Sequence, residues 1–202
     1  MVTKIEPTIK IARDALENRE NNIKNKPDAQ PETSIFANGC FWGTEELFRK
    51  YFKDSIIDAQ VGFIGGDDEG VGKDPSYRLV CTGQTGHAEA LSLTWDNRHA
   101  SYEELLDFFF RTHDPTQVDR QGADVGTQYR TALFPTTEKQ ESVARAVRDQ
   151  VQETHFTPNA TTIATTINAV NKYKWWKAEE YHQQYLINNP NGYQCFTHRL
   201  HY

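Results

Sequence analysis

The chain has 202 residues and a formal net charge of −6, from 22 basic and 28 acidic side chains. This length predicts one sizeable domain with an extension, because a typical domain holds about 150 residues. Hydrophobic residues make up 37% and aromatic residues 12% of the chain, which excludes wholesale disorder, and an acidic balance without a basic stripe argues against nucleic-acid binding.

Residues 1–32 form a polar N-terminal extension, which we expect to wrap on the surface or to be mobile, although 9–20 could form a helix with little to bury. From Thr33 onward, the apolar residues alternate between strand and helix periodicity. Strands are predicted at 34–37, 56–63, 76–82, 88–95, 128–134 and 161–167. Helices are predicted at 42–52, 102–111, 138–153 and 178–187, with N-terminal caps at Ser101-x-x-Glu104 and Thr137-x-x-Gln140.

This order of elements predicts a single domain of the α+β class over residues 33–202. We expect a two-layer sandwich in which helices pack on a mixed sheet, with a ferredoxin-like core. The segment 188–202 is rich in turn-forming residues and has no clear periodicity. It is therefore predicted to be a long, irregular and mobile C-terminal tail.

The lack of recognisable targeting signals and the low cysteine content both predict a cytoplasmic protein that does not enter a membrane. No stretch approaches the roughly 18 uninterrupted apolar residues of a membrane helix, and the first residues lack the apolar segment of a secretory signal. Acidic residues in the same segment argue against a mitochondrial presequence. Three cysteines, at 40, 81 and 195, are too few and too scattered for the disulfide scaffold of a secreted protein.

Cys40 is the first candidate for a reactive thiol. It stands in Gly39-Cys40-Phe41-Trp42-Gly43, between a predicted strand and a predicted helix. Unpaired N–H groups of the first helical turn, together with the helix dipole, would stabilise a thiolate and lower its pKa below the usual value of about 8.5. A buried cysteine among core aromatic residues is the alternative interpretation of the same pattern.

Residues 39–45, Gly-Cys-Phe-Trp-Gly-Thr-Glu, resemble the signature of the A-type peptide methionine sulfoxide reductases. The resemblance continues in order and covers essentially everything from Thr33 onward, whereas residues 1–32 have no part in it. Its further blocks are 61–63 (Val-Gly-Phe), Gly65-Gly66, 75–77 (Pro-Ser-Tyr), 85–89 (Thr-Gly-His-Ala-Glu), 113–116 (His-Asp-Pro-Thr), 121–130, 180–185 and 189–193.

The resemblance implies an enzyme that reduces the S epimer of methionine sulfoxide, free or in oxidised proteins, and so repairs oxidative damage. Such a reaction needs a soft nucleophile at sulfur and a proton for the departing oxygen. The Cys40 thiolate would supply the first, becoming a sulfenic acid as methionine is released. A carboxylic acid that keeps its proton near neutral pH would supply the second.

Glu89 is the candidate for this acid. In the predicted strand 88–95 it shares a face with Leu91, Leu93 and Trp95, and desolvation on such a face raises the pKa of a carboxyl group. Without the family resemblance, a strand-end carboxylate turned to solvent is the simpler interpretation. With the resemblance, we predict that Glu89 is catalytic.

Five further residues take their predicted roles from the resemblance. Tyr77 and Tyr129 match the phenols that hydrogen-bond the sulfoxide oxygen, and Asp124 matches a second acid. Phe41 and Trp42 would hold the S-methyl group of the substrate by apolar and sulfur–aromatic contact. Taken alone, each of these residues would be more simply explained as part of the core, the surface or a turn.

Cys195 matches the resolving cysteine of the family, which follows a Gly-Tyr pair in the tail. Many relatives carry two tail cysteines, whereas this chain has one, so the resemblance implies a Cys40–Cys195 disulfide that thioredoxin reduces directly. No bound cofactor and no metal are expected, and we expect a monomer. Cys81, on a predicted strand, is most simply a buried structural thiol, and a part in the redox cycle is the alternative.

Two other functions compete with this one. In a papain-like hydrolase His182 would serve Cys40, since it follows by 142 residues, but Ser34 stands where that family has its oxyanion-hole glutamine. His182 is otherwise expected to be structural or to support the site. A metal module could use Cys195-x-x-His198 with Cys40 or Cys81, although a single such pair is a weak zinc signal.

Overall fold

The computed structural model describes residues 5–22, 30–169 and 171–202 of the chain. Its α-helices are α1 (Lys10–Asn22), α2 (Phe41–Phe52), α3 (Tyr77–Val80), α4 (Tyr102–Arg111), α5 (Glu138–Val151) and α6 (Tyr185–Asn188). Its strands are β1 (Pro31–Asn38), β2 (Ile56–Ile64), β3 (Ala88–Asp96), β4 (Arg120–Gln121), β5 (Asp124–Val125), β6 (Thr131–Pro135), β7 (Thr166–Ile167) and β8 (Trp176–Lys177). Within these residues no helix combines the length and apolar character that a membrane crossing needs.

Six of the strands form one sheet in the order β7-β6-β1-β3-β2-β8, and β4 and β5 form a separate small hairpin. Neighbouring strands of the large sheet are antiparallel except β6 and β7, which run parallel. The prediction of a mixed sheet with packed helices is therefore confirmed. The central strand β1 ends at Asn38, so the residues that follow it emerge at one end of the sheet.

The predicted caps start two of the helices. Ser101 Oγ accepts a hydrogen bond from the Glu104 N–H at 3.2 Å, and the Glu104 carboxylate accepts from the Ser101 N–H at 2.8 Å. Thr137 Oγ1 accepts from the Gln140 N–H at 3.1 Å and begins α5. Each cap satisfies N–H groups that the first helical turn leaves unpaired and is worth about 1 kcal/mol.

Aromatic side chains fill the space between the sheet and the helices. Phe36 of β1 is fully buried and lies 5.0 Å from Phe48 of α2 and 5.9 Å from Phe109 of α4, between ring centroids. On the opposite face of the sheet, a smaller apolar cluster packs against Tyr173 and Trp175. The larger core thus lies directly beneath the segment that joins β1 to α2.

Two predicted elements are wrong, and the strand predicted at 161–167 is confirmed only for Thr166–Ile167, the two residues of β7. Residues 76–82 are not a strand: Ser76 caps the short helix α3 by accepting from the Leu79 N–H at 3.4 Å. Residues 178–187 are not one helix, because Gln183 bonds both the N–H and the carbonyl of Val61 on β2, each at 2.9 Å. Gln184 then takes a positive φ of 53°, which separates the short helix 180–182 from α6.

The expectation that the N-terminal extension has little to bury is also wrong for its helix. Ile9, Ala12 and Leu16 are all buried, at the three- and four-residue spacing of one helix face, where α1 packs against α4 and α5. The carboxylate of Asp107 accepts a hydrogen bond from Thr8 Oγ1 at 2.6 Å. Residues 1–4 and 23–29 of the predicted extension lie outside the described residues.

Arg111, at the end of α4, holds both terminal segments. Its guanidinium donates from Nη1 to the Glu6 carbonyl at 2.9 Å and from Nε to the main-chain oxygen of Tyr202 at 2.7 Å. Its own carbonyl accepts from the His201 N–H at 2.9 Å. The last residues of the tail are therefore in contact with the core, whereas its mobility stays a prediction.

Candidate active site

Cys40 lies at the predicted junction, between the last residue of β1 and the first residue of α2. Gly39 makes the turn with a φ of +99°, which favours glycine, and a Cβ at this position would lie 2.7 Å from the Cβ of Gln121. The backbone N–H groups of Trp42 and Gly43 lie near enough to the sulfur to lower its pKa. The thiol is thus held in a nearly closed position, since Cys40 is only 6% exposed.

The predicted lowering of the Cys40 pKa is wrong for the free protein. Burial raises the pKa of this thiol well above its usual value, and the charge of an ionised Glu89 raises it further. The N–H groups of Trp42 and Gly43 lower the pKa, as the helix start predicts, but burial outweighs them. Cys40 is therefore a neutral thiol at neutral pH, and it would have to lose its proton to act as a nucleophile.

Glu89 lies at the start of β3 and is 1% exposed. Its Oε2 accepts a hydrogen bond from the Phe41 N–H at 3.1 Å, which ties the carboxyl group to the residue next to Cys40. Burial raises the pKa of Glu89 to about 8, against a smaller lowering by that N–H group. The carboxyl group keeps its proton at neutral pH, as the apolar face of the predicted strand indicates.

Two phenols, Tyr77 and Tyr129, lie close enough to Glu89 to feel its charge. Burial raises the pKa of each phenol, and the charge of Glu89 raises it further. Tyr77 begins α3, and Tyr129 ends a short helix at 127–129. Both phenols are therefore uncharged at neutral pH and available as O–H donors.

Phe41 and Trp42 form an aromatic wall beside the thiol. The ring of Phe41 lies 5.8 Å from Phe63 and 6.4 Å from Tyr77, between centroids. Trp42 stacks on Tyr185 of α6 with ring centroids 3.8 Å apart and ring planes 16° apart. Phe41 is buried, whereas Trp42 stays partly accessible, so the wall presents an apolar edge to an incoming group.

Glu179, which sequence reasoning did not single out, supports two sides of this site. Its Oε1 accepts from the Tyr77 N–H at 3.0 Å, and its Oε2 lies 3.8 Å from Nε2 of His182. Nδ1 of His182 accepts from Trp42 Nε1 at 3.1 Å, so its ring proton is on Nε2. The expected supporting role of His182 thus has a geometric basis. The only sequence signal for Glu179 was its place beside the block 180–185.

Asp124, on β5, interacts with both Cys40 and the tail. Its charge raises the pKa of both Cys40 and Cys195, and its Oδ1 accepts from the Tyr193 hydroxyl at 2.7 Å. Oδ2 is closed off from solvent with no hydrogen-bond partner among the described residues. Tyr193 belongs to a block that resembles the family, but the sequence analysis gave it no role.

Cys195 is buried in the tail, 3% exposed. Its sulfur lies 3.4 Å from the Gln121 carbonyl oxygen and 3.1 Å from Thr197 Oγ1. Burial raises the pKa of this thiol, and the hydrogen bond from Thr197 lowers it. Folding thus brings the two cysteines, 155 positions apart in the sequence, close enough to Asp124 for its charge to act on both.

Cys81 is not the buried thiol that the sequence predicts. It follows α3 and is exposed, because the predicted strand that would have buried it is a helix. Burial raises the pKa of the Cys81 thiol, the Tyr77 phenol lowers it, the charge of Glu89 raises it further, and the net effect is a raised pKa. Cys81 therefore lies at the rim of the site.

The geometry supports neither of the two competing functions. Within 5–22, 30–169 and 171–202, no group of three His, Cys, Asp or Glu side chains is arranged to hold a metal ion. Instead, His198 donates from Nε2 to the Asn38 carbonyl at 2.8 Å. The general base of the hydrolase alternative, His182, accepts from Trp42 at Nδ1 and directs Nε2 toward Glu179.

The site places the Cys40 thiol beside Glu89, an acid that keeps its proton, and near the neutral O–H donors Tyr77 and Tyr129. Such an arrangement suits the transfer of oxygen from a substrate to sulfur. A mixed sheet that delivers this thiol at the start of a helix completes the arrangement. These features are those of a thiol-dependent oxidoreductase.

Comparisons with known proteins identify the family. The sequence model described as peptide methionine sulfoxide reductase matches residues 32–201. The peptide methionine sulfoxide reductase MsrA of Deinococcus radiodurans is 44% identical over 179 residues, which cover 88% of this chain and 81% of the relative. The chain therefore belongs to the A-type peptide methionine sulfoxide reductase family and is an oxidoreductase that acts on methionine sulfoxide.

Solved structures of relatives agree with this assignment. Mxr1 of Saccharomyces cerevisiae in reduced form is 40% identical, with a TM-score of 0.78 over 85% of this chain and 92% of that one. Mxr1 in complex with Trx2 is 27% identical, with a TM-score of 0.55 over 85% of this chain and 90% of that one. The arrangement of helices on a mixed sheet is thus shared with relatives of known structure.

Proposed function

We propose that the protein reduces methionine S-sulfoxide, free or within oxidised proteins, with Cys40 as nucleophile and Glu89 as proton donor. The observation that carries the proposal is the hydrogen bond from the Phe41 N–H to Glu89 Oε2 at 3.1 Å. It fixes a carboxyl group with a pKa of about 8 beside the thiol that must attack. Family membership supports the substrate class, and repair of oxidised methionine is the corresponding role in oxidative stress.

In the proposed first step, the Cys40 sulfur attacks the sulfur of the sulfoxide while Glu89 protonates its oxygen. The oxygen then moves from the substrate sulfur to the Cys40 sulfur: the sulfur–oxygen bond of the substrate and the new sulfur–sulfur bond break, and a bond between oxygen and the Cys40 sulfur forms. Methionine leaves, and Cys40 becomes a sulfenic acid. The proton that the Cys40 thiol loses returns to Glu89, so the acid is regenerated. Thiol plus sulfoxide thus gives sulfenic acid plus thioether, with every atom accounted for.

Tyr77 and Tyr129 are the proposed donors to the sulfoxide oxygen. Both keep their hydroxyl protons at neutral pH because burial and the charge of Glu89 raise their pKa values. A preorganised donor in a closed site contributes about 3 kcal/mol to stabilising charge that develops on oxygen. Asp124 is proposed as the second acid of the site, facing both Cys40 and Cys195.

Phe41 and Trp42 are the proposed seat of the substrate S-methyl group. Trp42 is fixed in place because its ring stacks on Tyr185 and its Nε1 donates a hydrogen bond to His182. Sulfur–aromatic contacts of this kind are worth roughly 0.3–1.5 kcal/mol. Because the wall lies next to the thiol in the chain, a methyl group placed on it brings the substrate sulfur to Cys40.

Cys195 is the proposed resolving residue. Its thiol attacks the Cys40 sulfenic acid, giving a Cys40–Cys195 disulfide and one molecule of water. Thioredoxin is the proposed partner that returns the disulfide to two thiols at the cost of its own dithiol, with no bound cofactor. The complex of Mxr1 with Trx2 supports this partner, as does the presence of a single tail cysteine.

We also infer a ferredoxin-like core, a monomer and a cytoplasmic location. The elements β1, α2, β2, β3, α4 and β6 follow a βαββαβ order, and their strands lie in the spatial order β6-β1-β3-β2, which supports the first inference. Three free cysteines support a reducing compartment. Light scattering in solution tests the monomer.

Thiol counting by mass spectrometry tests the reaction. Methionine sulfoxide added without a reductant should consume two thiols per molecule, linked as Cys40–Cys195, and release one methionine. Cys40→Ser should release none, because the nucleophile is lost, whereas the control Cys81→Ser should behave as the unaltered protein does. Full activity of Cys40→Ser, or a disulfide that includes Cys81, would contradict the proposed route.

A further inference from the structure

The proposed resolving cysteine belongs to a tight turn at the end of the tail. The N–H of His198 donates to the Cys195 carbonyl at 3.0 Å, and the N–H of Arg199 donates to the Thr197 carbonyl at 2.9 Å. Thr197 Oγ1 lies 3.1 Å from the Cys195 sulfur. These contacts fix Cys195 and His198 relative to each other, so that whatever positions one also positions the other. We call residues 195–198 the resolving turn.

The imidazole of His198 docks this turn on the end of β1. Its Nε2 donates to the carbonyl of Asn38 at 2.8 Å, and since a carbonyl only accepts, the ring proton is on Nε2. Asn38 is itself held firmly: Thr44 Oγ1 donates to its Oδ1 at 2.5 Å, and its Nδ2 donates to Thr112 Oγ1 at 3.3 Å. The anchor therefore lies on rigid backbone two residues before Cys40.

The same ring fits against the two glycines that bracket Cys40. A Cβ on Gly43 would lie 2.0 Å from Nδ1 of His198, and a Cβ on Gly39 would lie 3.3 Å from Nε2. Nδ1 is closed off from solvent and has no hydrogen-bond partner among the described residues. Burial lowers the pKa of His198, which keeps the ring neutral. The imidazole thus fills the space that the absent side chains of both glycines leave.

We propose that His198 is a positioning residue for disulfide formation: its ring docks the resolving turn on the backbone around Cys40, so that Cys195 waits beside the nucleophile. This inference rests on the proposed function, because it assigns His198 to the step in which Cys195 attacks the sulfenic acid of Cys40. That step joins the two sulfur atoms and releases water. His198 makes no contact with the substrate in this proposal and acts through the position of Cys195.

The docked turn changes what the tail has to do in catalysis. Tyr193, before the turn, is bonded to Asp124 at 2.7 Å, and His201, after it, is bonded to Arg111 at 2.9 Å. With contacts on both sides, Cys195 starts from a defined place close to Cys40 rather than from a free tail. A high effective concentration of the second thiol follows, since the attack is intramolecular and its partner is already docked.

Single-turnover measurements on His198→Ala test the proposal, because they separate the two chemical steps. Each protein receives free methionine sulfoxide without a reductant, and samples are quenched over time. Chromatography measures the methionine released, and mass spectrometry measures the Cys40–Cys195 disulfide. We expect methionine release at the unaltered rate but disulfide formation slowed about five- to tenfold, as the loss of one anchoring hydrogen bond implies. A carbon nucleophile that traps sulfenic acids should accordingly label more Cys40.

Two further variants sharpen the test. His198→Gln keeps an N–H donor that reaches the Asn38 carbonyl, so it should restore part of the disulfide rate. Arg199→Ala changes an exposed neighbour and should leave both rates unaltered. Disulfide formation in His198→Ala as fast as in the unaltered protein, or faster, would overturn the proposal. An equal loss of both steps would overturn it too, because it would reduce His198 to a general support of the fold.

The same experiment separates this inference from the proposed function. If the unaltered protein releases methionine but never links Cys40 to Cys195, the proposed route fails, and the inference about His198 fails with it. If the unaltered protein forms that disulfide and His198→Ala forms it equally fast, only the inference fails. Failure of the proposed route and failure of the inference alone therefore give different results.

Discussion

The protonation state of Cys40 and Glu89 at neutral pH follows from their burial. Both pKa values are raised, that of Glu89 to about 8, so the folded protein holds a thiol and a carboxylic acid together at neutral pH. An ionised Glu89 also raises the pKa of Cys40, which means that a carboxylate here would oppose thiolate formation. A neutral Glu89 thus has a proton to give, as the proposed mechanism requires, and it leaves the pKa of Cys40 lower than a carboxylate would.

Replacing Glu89 with Gln should slow methionine release about 10²- to 10⁴-fold at pH 7, since general acid catalysis contributes that much. For the unaltered protein, the rate of the reductive step should fall as pH rises through about 8, because the acid loses its proton there. Glu89→Gln should lack this fall. Single-turnover rates of both proteins, measured at a series of pH values from about 6 to 9, show both effects. A change confined to the apparent affinity would make Glu89 a binding residue.

The pH dependence of the free energy of unfolding tests the raised pKa of Glu89 independently of activity. The pKa of Glu89 is raised from 4.5 to about 8 on folding, so between these values the folded state holds a proton that the unfolded state has released. The stability of the unaltered protein therefore falls with rising pH in this window, by about 1.4 kcal/mol per pH unit. Glutamine at position 89 does not titrate. The unfolding free energy of Glu89→Gln, measured in urea, should therefore rise relative to that of the unaltered protein from pH 5 to pH 8.

At the level of elements, the junction of β1 and α2 depends on contacts from the tail. Gly43 lies in the first turn of α2, where alanine would ordinarily favour a helix. A Cβ there would collide with His198 Nδ1 at 2.0 Å. The glycine thus reflects the docked imidazole rather than the needs of the helix, and its presence in the sequence could not have been explained before the tail was placed.

A double-mutant cycle measures this coupling. Gly43→Ala should destabilise the protein, because the added methyl group displaces His198. In the His198→Ala background the same change should be neutral or stabilising by up to about 1 kcal/mol, since the clash is gone. Urea unfolding of the four proteins gives the interaction energy, which we expect to be about 1–2 kcal/mol. Additive effects would show that the ring is not docked in solution.

At the scale of the whole molecule, the core includes the helix of the N-terminal extension. Ile9→Ala should cost about 2–4 kcal/mol of unfolding free energy, because Ile9 is 1% exposed within the main core cluster. The matched change Glu17→Ala, on the exposed face of α1, should have an effect within about 0.5 kcal/mol. Equal, small effects in urea unfolding would show that α1 adds nothing to the core.

Local patterns predicted the regular elements well and the tertiary contacts poorly. The capping residues Ser101 and Thr137 act within their own helices, so the sequence alone places the starts of α4 and α5. The expected helix at 178–187 fails because Gln183 binds the backbone of β2, more than a hundred residues away in the sequence. Such long-range hydrogen bonds leave no periodic trace in the sequence.

In the candidate site too, features set by the local sequence were predicted, whereas features set by tertiary contacts were not. Family resemblance named Cys40, Glu89 and Cys195, and the alternating apolar pattern around Glu89 predicted its raised pKa independently. The pKa of Cys40 was predicted in the wrong direction, because burial depends on what covers a residue and not on its neighbours in the chain. Glu179 escaped notice for a related reason: its partners, Tyr77 and His182, meet it only in the folded protein.

The bonds of Arg111 to both ends of the chain have a mechanical consequence. Since one guanidinium binds the Glu6 carbonyl and the Tyr202 oxygen, the N-terminal and C-terminal segments are both attached to the same side chain of α4. Loss of the bond at Glu6 therefore removes one of the contacts that fix the guanidinium, and with it part of what holds Tyr202 in place. An N-terminal truncation or fusion close to Glu6 should therefore change the rate of the proposed attack of Cys195 on Cys40, although Glu6 lies far from both cysteines in the sequence.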